Sequence, residues 1–242
     1  MFNHPQMHQL KTLIFSTQAV NIDLATEIAK GLGIDLEVFI RREGFNAFGL
    51  FQPKDFLNLT TLNCNSKNIL HLEPLRHLHT LRVIYCNNNK IRDLSPLSQL
   101  PELLGLDCSG NFIQDLSPLS GLRKLGWLSC YSNQIEDLNP LQSLTNLYEL
   151  NCSYNPIPKL DALENLSKLS WLNCIENKIY SLQPLAKLAQ LQELCCYDNH
   201  IQDISPVSNL PKLTHFDCSN NPIPSTQIQA FEQAHPTCEF FF

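Results

Sequence analysis

A cysteine recurs every 22 residues through most of this 242-residue chain. An isoleucine follows each of these cysteines by five residues, and an asparagine follows all but the first by three, where Lys67 stands instead. The cysteines are Cys64, Cys86, Cys108, Cys130, Cys152, Cys174, Cys196 and Cys218. A fixed period of about 20 to 50 residues indicates stacked units, because one such unit cannot bury its own apolar face.

Each unit contains one predicted strand and one predicted helical turn. The unit reads L-x-x-L-x-C-x-x-N-x-I-x-x-L-x-P-L-x-x-L-x-x. Its second leucine and its cysteine are two residues apart, so both point inward from the strand. The asparagine is predicted to close the turn after the strand and to bind backbone groups of the neighbouring coil. Ser95-Pro96 and Ser117-Pro118 predict a capping serine before a proline that opens the helical turn, and Asp161 keeps the predicted cap without the proline.

This pattern resembles the leucine-rich repeat, with cysteine in the small apolar position of the strand. The unit length and the run D-L-S-P-L-S-x-L, at 93–100 and 115–122, are most similar to the subclass of internalins and protein-phosphatase-1 regulators. The resemblance covers residues 57–224 and implies an α/β fold. That fold is a leucine-rich-repeat solenoid, a right-handed coil with a concave parallel β-sheet and short helical turns on its convex side.

Three segments are predicted: an N-terminal cap at 1–56, eight repeats at 57–224, and a C-terminal cap at 225–242. We interpret the N-terminal cap as degenerate repeats that include one helix, and a separate βαβ cap is the alternative. At the other end, STQIQAFEQAH predicts an amphipathic helix, and residues 237–242 predict a closing edge strand.

Composition excludes several classes of function. The 17 Lys and Arg residues against 23 Asp and Glu residues leave a net charge of −6, so we expect no nucleic-acid partner. No apolar run approaches the roughly 18 residues of a membrane helix, and the first residues lack a secretory signal, so we expect a cytoplasmic protein without a membrane partner. The cysteine row favours reduced thiols, because neither disulfide nor metal geometry fits it, and we expect no cofactor.

The candidate site lies at the variable positions of the strands. The position three before the cysteine holds both tryptophans, Trp127 and Trp171, with Glu149 in the repeat between them. Exposed aromatic side chains beside polar ones are typical of protein-binding hot spots. The acidic neighbours predict an unknown partner protein with a basic segment. The predicted partner-binding residues are Tyr85, Trp127, Tyr131, Glu149, Tyr154, Trp171, Ile175, Glu193, Tyr197 and His215.

The sequence therefore predicts a protein-interaction module that binds a partner on the concave face and is not an enzyme. Three alternatives stay open at this point. The first is a thiol-dependent enzyme that uses Cys195 with His215 and Asp217, although an open sheet would not lower the pKa of the thiol much. The second is a secreted effector or adhesin of the internalin type, and the third is a spacer whose concave face binds nothing.

Overall fold

The computed structural model describes residues 60–242, so the predicted N-terminal cap at 1–56 lies outside the described residues. In the described part, nine strands form one parallel sheet in chain order. Each strand has three residues. The strands β1 to β9 are Thr61–Asn63, Val83–Tyr85, Gly105–Asp107, Trp127–Ser129, Glu149–Asn151, Trp171–Asn173, Glu193–Cys195, His215–Asp217 and Glu239–Phe241.

Strand pairing follows the 22-residue period. Trp127 of β4 pairs with Glu149 of β5, and Glu149 pairs in turn with Trp171 of β6. The same offset joins Thr61 to Val83 at the start of the sheet. Residues at one repeat position therefore stand in a row across the sheet, about 4.8 Å apart. This is the leucine-rich-repeat solenoid that the repeat pattern predicts.

The interior is filled by the leucines, isoleucines and cysteines of the repeat. All eight cysteines of the row are free thiols with 0% exposure. Burial raises the pKa of the Cys152 thiol to about 12, so this thiol is uncharged at neutral pH. The predicted role of the cysteine as a small apolar side chain is confirmed.

The asparagine row joins neighbouring coils. The side-chain amide of Asn133 donates to the carbonyl oxygens of Cys108 and Cys130, and its oxygen accepts the N–H of Ile113. Asn177, two repeats later, makes the equivalent contacts. The predicted role is confirmed, because these groups belong to turns that the sheet hydrogen bonds do not reach.

The helical turns are 3₁₀ helices, and the prediction of their caps was wrong. Ser95 is the first helical residue, and its N–H donates to Asp93 two residues earlier, at 2.7 Å. The N-cap residue of this turn and that of the Asp161 turn make no side-chain cap hydrogen bond. Asp93 contacts the start of the Ser95 turn from the position before the N-cap, because its carboxylate accepts the N–H and the hydroxyl of Ser95 together. The turns are Glu73–His77, Ser95–Gln99, Ser117–Leu119, Asn139–Leu141, Asp161–Leu163, Gln183–Leu185 and Ser205–Val207.

The predicted C-terminal helix and strand are both present. Helix α1, Ser225–Ala234, packs Phe231 against Phe216 of β8, with ring centroids 5.2 Å apart. Phe240 of β9 lies 4.6 Å from Phe231 and pairs in register with Phe216. Aromatic side chains thus close this end of the described core in place of leucine. No helix within 60–242 has the length and apolar character required to cross a bilayer.

Candidate partner-binding face

Four positions of each repeat lie on the side of the sheet away from the core. They are the residues three and one before the cysteine of the row, and one and two after it; we call their surface, with Glu239 and Phe241 of β9, the sheet face. Strand register places five of the predicted site residues in one row of this face. In order across the sheet these are Trp127, Glu149, Trp171, Glu193 and His215.

Trp127 lies over the preceding strand. A Cβ atom on Gly105, its neighbour in β3, would stand 2.1 Å from the indole Cε2, so only glycine permits this placement. Beyond the glycine, the indole meets Tyr85 of β2, with ring centroids 5.6 Å apart at 34°. Trp127 is half-buried as a result. Tyr85, Gly105 and Trp127 form one packed unit across three strands.

Trp171 occupies the same repeat position in a different setting. Its register neighbours are Glu149 in β5 and Glu193 in β7, and both glutamates are exposed. The residue directly before it in the row is Glu149 and not a glycine, so the contact that Trp127 makes with a glycine has no counterpart here. The half-buried Trp171 is therefore flanked on both sides by carboxylates.

Three tyrosines follow the strands at the rim of this patch. Tyr131 and Tyr154 are exposed, and Tyr197 is half-buried. Hydrogen bonds of the Tyr154 hydroxyl with Tyr197 and Glu176, together with the negative charge of these groups, raise the pKa of Tyr154 to about 12. The structure thus joins two predicted residues to Glu176, which lies outside the predicted set.

Ile175 differs from the exposed side chain that the row predicts, because only 8% of it is accessible. The side-chain oxygen of Asn173 accepts the N–H of Ile175, and Asp107 and Ser109 form the same short turn in β3. Ser109 is also buried. Ile175 offers little surface to a partner.

The next residue has a positive φ in every described repeat. Glu176 has a φ of 48° and Tyr154 a φ of 55°, in the region that favours glycine, and only Gly110 supplies that residue. The others at this position are Ser66, Asn88, Ser132, Asp198 and Asn220. A left-handed residue therefore turns the chain at the end of each strand, and this backbone directs Tyr154 and Glu176 to the rim.

The surroundings of Cys195 disfavour the thiolate that a catalytic pair with His215 would need. Burial, with the charges of Asp217 and Glu193, raises the pKa of the Cys195 thiol to about 11, whereas a nucleophile needs a lowered value. The His215 ring nitrogen Nδ1 lies 3.2 Å from the Glu239 carboxylate. Among the described residues, no three side chains of His, Cys, Asp or Glu are grouped to hold a metal ion.

Sequence reasoning missed a second apolar surface, at the position four before the cysteine. Tyr148 is 47% exposed and lies over Gly126, where a Cβ would stand 2.7 Å from Tyr148 Cε1. Leu104, in the same row, is 39% exposed. The signal was available: a glycine precedes an aromatic residue by 22 positions at Gly126 and Tyr148, and again at Gly105 and Trp127.

Comparison with known proteins identifies related folds. The family model of leucine-rich repeats in two copies matches residues 79–121, 123–168 and 189–233, which together exceed half of the chain. Comparison with curated protein sequences gives no significant match.

Solved structures of Listeria monocytogenes proteins are similar to this chain. Internalin C2 is 29% identical with a TM-score of 0.73, and the match covers 86% of this chain and 92% of that one. Internalin InlF is 28% identical with a TM-score of 0.70, covering 81% of this chain and only 55% of its own. The functional domain of InlJ, which includes a cysteine ladder, is 28% identical with a TM-score of 0.50. That match covers 74% of this chain and 48% of the InlJ chain.

Proposed function

The chain belongs to the leucine-rich repeat family, and from that premise we propose that it is a protein-interaction module whose sheet face binds a partner protein. Solenoids of this kind present extended surfaces that are used for binding. The family and the internalin-like neighbours support a protein-interaction role in general. The partner, its basic segment and the cytoplasmic location are predictions of this proposal.

One observation carries the proposal. The row of Trp127, Glu149, Trp171 and Glu193 puts aromatic and acidic side chains together on a sheet whose core is already filled by leucine and cysteine. The fold does not need a half-exposed tryptophan between two glutamates. Aromatic residues in such positions contribute most of the binding energy at protein interfaces.

The test is affinity capture from a lysate of the source organism. Wild type is compared with Trp171→Ala, which removes the tryptophan that does not pack over a glycine of the preceding strand. The matched control is Tyr180→Ala, because Tyr180 is an aromatic residue that is 52% exposed and lies outside the sheet face. Thermal denaturation of all three proteins shows that each remains folded.

A bound protein that Trp171→Ala loses and Tyr180→Ala retains would support binding on the sheet face. If both variants retain it, the sheet face is not the binding surface. The exposed residues Leu104 and Tyr148 would then be tested next by alanine substitution.

A further inference from the structure

The charges of the repeat region are segregated. None of the described residues of the sheet face is lysine or arginine. Seven carboxylates lie on it, and all but the first belong to β5 or to later strands and the turns after them. These are Asp107, Glu149, Glu176, Glu193, Asp198, Asp217 and Glu239. The later half of the described sheet face therefore has a negative potential that no lysine or arginine on the same face offsets.

Trp171 lies at the centre of this acidic half. Glu149 and Glu193 are its register partners, one on each neighbouring strand, so carboxylates stand about 4.8 Å away on either side at the backbone. Neither carboxylate makes a hydrogen bond or ion pair with any other residue of 60–242. Both side chains are exposed and keep their full hydrogen-bonding capacity for a ligand.

These three side chains favour one chemical group. A flat cation can stack on an indole while the N–H groups at its edges donate to carboxylates on both sides. Guanidinium meets both requirements, because it is planar, always charged and has five N–H donors in a fixed plane. An ammonium group is a compact and strongly hydrated point charge, so it cannot stack and bind both carboxylates in this way.

We propose that Trp171, Glu149 and Glu193 form a binding site for an arginine side chain of the partner protein. The proposal rests on the proposed function, because it names the anchor that the sheet face binds. Asp198 and Asp217, on the next repeats, attract the basic segment that carries the arginine.

Trp127 does not offer an equivalent site. Its register partner on one side is Glu149, but on the other side it is Gly105, which carries no carboxylate. The indole also packs across Gly105 onto Tyr85, so part of its surface is already in use. The arginine site is therefore confined to the acidic half of the sheet face.

The chain contains only two tryptophans, which makes the site directly observable. In the Trp127→Phe variant, Trp171 is the sole indole and its fluorescence reports on this position alone. Octa-arginine and octalysine are the probes, because they carry the same charge and differ in the shape of the cation. Both are titrated at low salt into the full chain, after thermal denaturation shows that the variant is folded.

We expect octa-arginine to change Trp171 emission saturably and to bind at least about fivefold more tightly than octalysine. Only guanidinium can stack on the indole and donate hydrogen bonds to the carboxylates at the same time. Glu149→Gln and Glu193→Gln, each added to that background, should weaken octa-arginine binding by about fivefold to tenfold. Glu232→Gln on α1 is the matched control, since it removes the same charge from an exposed position off the sheet face and should have little effect.

Equal binding of the two peptides, or equal weakening by Glu232→Gln and Glu149→Gln, would overturn the arginine site and leave only general charge attraction. The two proposals can fail separately. If Trp171→Ala loses the captured protein but Glu149→Gln and Glu193→Gln retain it at full affinity, the sheet face binds a partner without an arginine anchor. If the peptides discriminate as expected but Trp171→Ala retains the captured protein, the sheet-face proposal fails and the arginine is not supplied by that protein, although Trp171 and its glutamates still bind guanidinium.

Discussion

The two tryptophans occupy the same repeat position, 44 residues apart, and have different surroundings. Trp127 follows Gly105 in the row and lies over it against Tyr85. Trp171 follows Glu149 and has a glutamate, Glu149 or Glu193, as its register partner on each side. The repeat thus sets the position of a side chain, whereas the neighbouring repeats decide whether it stabilises the sheet or is left to bind.

The asparagine hydrogen bonds are the same in the repeat of Trp127 and in the repeat of Trp171. Asn133→Ala and Asn177→Ala remove matching sets of hydrogen bonds and should each lower the free energy of unfolding by about 3 kcal/mol, since buried carbonyls and N–H groups lose their partners. Urea denaturation measures both. Asn165→Ala is the control, because Asn165 is exposed and should change little. If Asn133→Ala and Asn177→Ala lower the free energy of unfolding by clearly different amounts, the backbone around the two tryptophans is not equivalent.

The next prediction concerns the contact between Gly105 and the Trp127 indole. Gly105→Ala should lower the free energy of unfolding by about 1–3 kcal/mol, because the new Cβ displaces the indole. Glu149→Ala changes the equivalent residue before Trp171 and should cost less than about 0.5 kcal/mol. Emission of Trp127 in a Trp171→Phe background should shift to the red in the Gly105→Ala variant. Unchanged emission would show that the indole does not depend on the glycine.

The tryptophans themselves should separate stability from binding. Trp127→Ala should cost about 1 kcal/mol more than Trp171→Ala in chemical denaturation, because it also removes the ring contact with Tyr85. Partner binding should show the opposite order, with the larger loss for Trp171→Ala. A larger loss for Trp127→Ala in both measurements would contradict this separation of stability from binding.

The smallest expected effect concerns the acidic half alone. The pKa of Tyr154 is raised to about 12 from an ordinary 10, so folding favours its neutral hydroxyl. Its contribution to stability is complete below pH 10 and is lost as the pH rises toward 12, because the unfolded chain ionises first. Ultraviolet titration should lose a late-ionising tyrosine in Tyr154→Phe and keep it in Tyr131→Phe. A late-ionising tyrosine that remains in Tyr154→Phe would contradict the hydrogen bonds to Tyr197 and Glu176.

The features that recur in every repeat could be predicted from the sequence. Strand positions, the inward cysteines and the bridging asparagines follow from spacing, because side-chain direction alternates along a strand. The predicted caps of the helical turns were wrong, since Ser95 is already the first helical residue and its N–H and hydroxyl bond to Asp93 two residues earlier. Ile175 was expected on the surface, but only 8% of it is accessible, because the repeat position of a residue does not by itself fix how much of it the neighbouring coils cover.

The sequence by itself determined the solenoid and the row that each residue joins, because one period of 22 residues acts on every unit in the same way. Only the tertiary structure decided how each row is used. Trp127 and Trp171 cannot be told apart by repeat position, and their difference appears when strands stacked about 4.8 Å apart bring glycine to one and glutamate to the other. Contacts between repeats are long-range in the chain, so they exist only after stacking.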